Sequence, residues 1–206
     1  TGMASTDAAL ARLVDPNPVA GAYEGPWQDP ATPPHTPLGK VSAHNVVGEE
    51  GTVYALVPEE RRAWHAGASH WAGVEGVNHS SIGIEIANGG HDFGLPPFPA
   101  AQIDAVIELV RAICERHGLG PHQVVGHSDV APGRKLDPGE RFPWARLAQA
   151  GVALWPLQQP SEPGAIIARE GDEGMPVLAV QETLAAIGYG VAQSGAFDAH
   201  SRAGVE

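Results

Sequence analysis

The sequence predicts an α/β domain followed by a small helical module, and three observations predict it. Residues 41–47 and 52–57 are short apolar runs with β-branched residues, separated by Gly48-Glu49-Glu50-Gly51, which is a β-hairpin pattern. Ser81-Ile82-Gly83-Ile84-Glu85-Ile86-Ala87 alternates. It puts Ile82, Ile84 and Ile86 on one face of a strand and Ser81, Gly83, Glu85 and Ala87 on the other. From Pro99 to His117, Ile103, Val106, Ile107, Val110, Ile113 and Cys114 recur at helical spacing, which makes an amphipathic helix.

The other elements follow in order. Ser5 or Thr6 caps a helix running to about Val14, with Asp7 well placed in its first turn. Residues 15–40 hold seven of the 19 prolines and read as a long irregular loop. Pro99 starts the long helix and Gly118 ends it. Gln123-Val124-Val125 reads as a brief strand, and Phe142 to Ala150 as a short helix. Trp155 to Gly164, with three prolines, reads as linker. Beyond Gly171-Asp172-Glu173-Gly174, Val177, Val180, Leu184 and Ile187 mark another helix, and Gly188-Tyr189-Gly190 a turn. The expected division is a domain at 1–150, a linker at 151–170 and a partial helical module at 171–206. Both ends read as cut: the chain opens on Thr1, and residues 201–206 read as the opening of a helix.

Bulk properties narrow the function. The 206 residues are 43% hydrophobic and 17% charged, as in a globular chain. A net charge of −12 argues against a nucleic-acid partner, because a phosphate backbone draws Lys and Arg. Cys114 is the single cysteine, so no internal disulfide forms, and its place on an apolar helix face marks a structural thiol. No apolar run approaches the ~18 residues of a membrane span.

The chemistry concentrates in Gly126-His127-Ser128-Asp129-Val130-Ala131-Pro132-Gly133-Arg134-Lys135-Leu136-Asp137-Pro138-Gly139. An imidazole and a carboxylate can both bind zinc, and the Pro and Gly residues can fold the loop so that His127 and Asp137 converge. Zinc with an open position is hydrolytic chemistry. Glu85, a lone carboxylate on an apolar strand, is the candidate general base for an attacking water. Lys135 is the candidate stabiliser of the oxyanion. Asp129 is read as bonding its own loop backbone, and Arg134 as an ion-pair partner. His44, Trp64 and His65 suit an aromatic-lined cleft for a sugar-peptide ligand. The remaining histidines read as surface or loop residues.

Four ordered motifs carry a resemblance: Val41-Ser42-Ala43-His44, Arg62-Ala63-Trp64-His65-Ala66-Gly67, Ser81-Ile82-Gly83-Ile84-Glu85, and the His127 to Gly139 segment. With them residues 1–150 resemble the type-2 N-acetylmuramoyl-L-alanine amidases, zinc enzymes related to peptidoglycan recognition proteins and T7 lysozyme. The tail from Gly171 is similar to the start of a helical peptidoglycan-binding domain. The resemblance implies a mixed β-sheet flanked by helices and cleavage of the amide joining N-acetylmuramic acid to L-alanine. It implies His127 and Asp137 as zinc ligands, Glu85 as base and Lys135 as stabiliser of the tetrahedral intermediate. His44, Trp64, His65 and Arg134 are the expected substrate-binding residues. In the family a further zinc-ligand His stands near the end of an N-terminal strand, before a turn. Thr1-Gly2-Met3 resembles that turn, so the expectation is that this His lies upstream of residue 1 and that the chain as it stands is impaired. Peptidoglycan or a muropeptide is the expected partner, in the periplasm or envelope with the cytoplasm as the alternative, and the chain is expected to be monomeric. Two other readings stay open: a non-catalytic peptidoglycan receptor, and a phage-type endolysin.

Overall fold

The structure is a computed structural model that describes residues 2–20, 22, 32–156, 164 and 166–205. Predictions that fall on residues 21 and 23–31, and the linker prediction over 157–163, lie outside the described residues.

A three-stranded sheet takes the order Val53–Ala55, Asn45–Val47, Ile84–Ile86. β1 (Asn45–Val47) pairs antiparallel with β2 (Val53–Ala55), as the hairpin pattern requires, and parallel with β5 (Ile84–Ile86). Burial grades across it: β1 is wholly buried, β5 intermediate and β2 exposed. The most buried strand sits in the middle. A second sheet is the two-residue pair β3 (His70–Trp71) and β4 (Val74–Glu75), which the sequence did not predict.

Helix α1 (Thr6–Val14) starts as expected, with the Ser5 hydroxyl accepting from the Ala8 amide at 3.2 Å. Helix α2 (Ala100–His117) follows Pro99 and stops at Gly118 in the left-handed region, φ +65°, where a side chain would be strained. Its apolar face builds the main core: Ile103, Val106, Ile107 and Val110 pack with Val47, Phe142 and Leu147, and Ile84 and Ile86 lean on this cluster. Cys114 joins it too, and burial pushes its thiol above the ordinary value, as befits a structural group. Gln102, fully buried in the same face, donates from Nε2 to Val47 O at 3.1 Å and Ala87 O at 2.7 Å. That amide joins the ends of β1 and β5, and it escaped a reading based on apolar spacing.

The expected strand at Gln123-Val125 does not form. Pro121–Gln123 is a 3-10 turn, with the Gln123 amide bonded to Gly120 O and its Oε1 accepting from the Gly120 amide. Too few residues remain for a strand. His127–Val130 is a single helical turn, α3, where the sequence suggested only loop. Helices α4 (Trp144–Gln149), α5 (Met175–Ile187) and α6 (Ala199–Val205) complete the chain. Among the described residues no helix is long and apolar enough to cross a membrane.

The described residues fall into two compact units. One takes Thr1–His65, Asn78–Val124 and Asp137–Trp155; the other takes Ala66–Val77, Val125–Leu136 and Pro156–Glu206. The C-terminal helices thus pack with two segments drawn from the first 150 residues.

Candidate active site

In the first unit the site is built on the sheet face away from α2. Val47, Ile84 and Ile86 point into the core, so the pleat turns Glu85 to the other side. The register sets Tyr54, Val46 and Glu85 abreast on that side. Glu85 is half-buried. Two residues earlier the chain has Gly83, and the His65 ring fills the space a side chain would take: a Cβ there would lie 2.3 Å from the ring. His65 therefore stands over the strand next to Glu85. Asn78 Oδ1 accepts from its amide at 2.9 Å, and Ser81 Oγ lies 3.5 Å from its Nε2.

His44 requires a correction. It is 1% exposed, its Nδ1 accepts from the Gly83 amide at 2.9 Å, and its Nε2 donates to Arg61 O at 2.9 Å. Both ring nitrogens are committed to backbone, so His44 pins β5 and the Arg61 loop and offers a ligand no polar atom. Its edge-on contact with His65, 5.6 Å between ring centres, steadies the outer imidazole. Trp64 is 48% exposed, with the Arg62 guanidinium 3.9 Å above its ring. Arg62 and Ser81 also line a cleft of about 540 Å3, with Arg61, Asn78, His79 and Ile82. Asp137 belongs to this unit and is half-buried.

His127, Arg134 and Lys135 belong to the second unit. His127 opens α3, and its Nε2 stands 3.1 Å from Ala66 O. A carbonyl only accepts, so in the neutral ring Nε2 carries the proton and the lone pair lies on Nδ1. Arg134 is corrected as well: its guanidinium donates to Ala66 O at 2.6 Å and to Ala68 O at 2.6 and 3.1 Å, and not to a carboxylate. It holds the loop before β3. Lys135 is half-buried just beyond it. Asp129 bonds its own loop, as expected, with Oδ2 accepting from the Gly126 amide at 2.6 Å. Its Oδ1 accepts from the Tyr189 hydroxyl at 2.7 Å, a partner sixty residues away in sequence that no local pattern announces.

A metal is the remaining question. Catalytic zinc ordinarily takes three protein ligands. His127 Nε2 faces the Ala66 carbonyl, the kind of second bond that orients a ligand imidazole. Among the described residues, however, no three His, Cys, Asp or Glu side chains gather to hold a metal ion. The donor set does not fit a complete zinc site.

With this geometry in place, known proteins add the following. A sequence model of a family described as N-acetylmuramoyl-L-alanine amidase matches residues 1–140. The chain is 46% identical over 112 residues to the N-acetylmuramoyl-L-alanine amidase AmiD of Escherichia coli, covering 52% of this chain and 41% of AmiD. It is 35% identical over 138 residues to the 1,6-anhydro-N-acetylmuramyl-L-alanine amidase AmpD of Enterobacter cloacae, covering 62% and 72%. Among solved structures it is similar to E. coli AmiD in complex with the substrate anhydro-N-acetylmuramic acid-L-Ala-D-gamma-Glu-L-Lys. That likeness has a TM-score of 0.60 and 38% identity, over 74% of this chain and 63% of the AmiD chain. The chain thus spans about two fifths of the curated AmiD sequence it matches.

Proposed function

The chain belongs to the N-acetylmuramoyl-L-alanine amidase family, and from that premise we propose that it hydrolyses the amide between N-acetylmuramic acid and L-alanine in peptidoglycan or a muropeptide. The observation that carries this is Glu85, a carboxylate turned out of an otherwise apolar strand onto the face where His65 stands. Hydrolysis needs a base at a fixed place, and the pairing of β5 with β1 fixes this carboxylate on the sheet.

Glu85 takes the proton of the attacking water. The water oxygen adds to the lactyl carbonyl, and the Lys135 ammonium balances the negative charge that develops on the carbonyl oxygen. Glu85 then returns its proton to the departing L-alanine nitrogen, and the C–N bond breaks. Trp64 and His65 supply aromatic surface for the sugar-peptide, and Arg62 a cation for its carboxylates. Zinc on His127 and Asp137 is part of the proposal drawn from family resemblance, but the described residues do not complete its ligand set. The steps above run through the chain's own side chains. An anhydro-muramyl peptide is the favoured substrate, supported by the ligand in the AmiD complex. The cell envelope is the proposed compartment.

The same incomplete ligand set favours one second reading, a peptidoglycan receptor that binds without cleaving. Glu85→Ala separates the two. On the amidase reading turnover of an anhydro-muropeptide falls by ~10²-fold or more while binding persists. Unchanged turnover would remove Glu85 from the role.

A further inference from the structure

The C-terminal module has so far no part in the chemistry, yet one of its turns is shaped around the loop that carries His127. Helix α5 ends at Ile187 and is capped by Gly188, whose amide and that of Tyr189 both bond Leu184 O, so the helix fixes where Tyr189 projects. The module behind it is ordered from within. Gln181, fully buried, donates to Ser201 Oγ and Ala196 O at 2.9 Å and accepts from the Gly195 amide at 2.8 Å.

The turn closes on its neighbours from three sides. Trp71 packs edge-on against Tyr189, 5.2 Å between ring centres. A Cβ on Gly188 would lie 2.8 Å from the Trp71 ring, and one on Gly190 2.6 Å from the His70 ring. The Ala72 amide bonds Gly188 O at 2.8 Å. Gly-Tyr-Gly is thus the sequence that lets β3 approach from both sides while keeping one hydroxyl between them. That hydroxyl meets Asp129 Oδ1 at 2.7 Å, while Asp129 Oδ2 holds the Gly126 amide immediately before His127. The same His127 bonds Ala66 O, in the loop leading to β3.

We propose that Tyr189 is a positioning residue: through Asp129 it fixes the first turn of α3, and with it the orientation of the His127 imidazole against Ala66. The C-terminal module is then part of the amidase machinery as well as any wall-binding surface it carries. Asp129 has one oxygen for the helix start and one for Tyr189, so neither bond can shift without the other. Groups that orient a functional His through a second bond set its ring direction and tautomer.

The inference rests on the amidase reading for its kinetic test alone. Tyr189→Phe in the full chain removes one oxygen and keeps the ring against Trp71. With an anhydro-muropeptide, kcat is expected to fall about tenfold with KM within about twofold, since orientation and not ground-state binding is lost. Independently of turnover, 15N spectra of the histidine rings should show the His127 signal move from one with protonated Nε2 toward a mixture of tautomers. In an Asp129→Ala background the same substitution should add nothing further. An unchanged His127 signal with unchanged kcat would overturn the proposal, and so would a second full loss in the Asp129→Ala background. If the wild-type chain shows no turnover, the amidase reading fails by itself, and the His127 spectrum still decides for or against the clamp.

Discussion

Gly83 carries no side chain, and the His65 ring stands where one would be, with 2.3 Å to a built Cβ. The clash is with a ring held by Asn78 on its backbone and His44 on its edge, so it cannot swing away cheaply. Gly83→Ala should therefore displace His65 from beside Glu85. Turnover is expected to drop ~10-fold or more, with a much smaller change in thermal midpoint, because a misplaced group costs rate before it costs the fold. Full activity in that variant would detach His65 from the site. At this scale the sequence was legible where a residue broke its own pattern. Glu85 stood out as the one carboxylate in Ile-Gly-Ile-Glu-Ile, and Asp129 followed from loop chemistry. It was opaque where the partner is remote. His44 looked like a ligand-binding imidazole because its bonds to Gly83 and Arg61 exist only after the strands pair. Arg134 was matched to a carboxylate because charge is visible in sequence and carbonyl direction is not.

Among the elements, α2 was the most legible, since its period, Pro99 and Gly118 all agree. Ile103 is 1% exposed at the centre of its packed face. Ile103→Ala should cost about 2–5 kcal/mol in chemical denaturation, from lost burial and the cavity left behind. A loss under about 1 kcal/mol would mean the core closes around the gap. The C-terminal turn of α2 is tied to the loop after β2. Arg116 bonds Glu59 at 2.6 Å and His117 bonds it at 2.7 Å. The Arg116 guanidinium holds the Glu59 carboxyl below its ordinary value of 4.5, with His117 adding to it against a partial burial that pushes the other way. A depressed folded value gives stability that is complete above the unfolded one and lost as pH falls through the folded one. The stability advantage of the wild type over Glu59→Gln should thus be steady above pH 4.5 and shrink below it. A difference that stays flat well into acid would contradict that pairing. What the sequence missed was short. β3 and β4 have two residues each, below the length at which alternation can be recognised, and the apolar Val124-Val125 was misread because the turn at Pro121 takes the residues beside it.

Across the whole molecule, four ordered motifs sufficed for the family, and the match over residues 1–140 agrees. They could not foresee that the C-terminal helices group with Ala66–Val77 and Val125–Leu136, because that grouping depends on one hydroxyl, two glycines and a tryptophan far apart in sequence. Nor does sequence order say how many metal donors converge, and among the described residues three do not. The most direct measurement is the mass of the products when this chain, supplied with zinc, is incubated with anhydro-N-acetylmuramyl-L-Ala-D-γ-Glu-L-Lys. The expected result is a free peptide with an N-terminal L-alanine and the matching anhydro-sugar acid, with turnover lowered ~10²-fold or more by Glu85→Ala. Recovery of intact substrate bound to the chain, or a product cut elsewhere in the peptide, would contradict it.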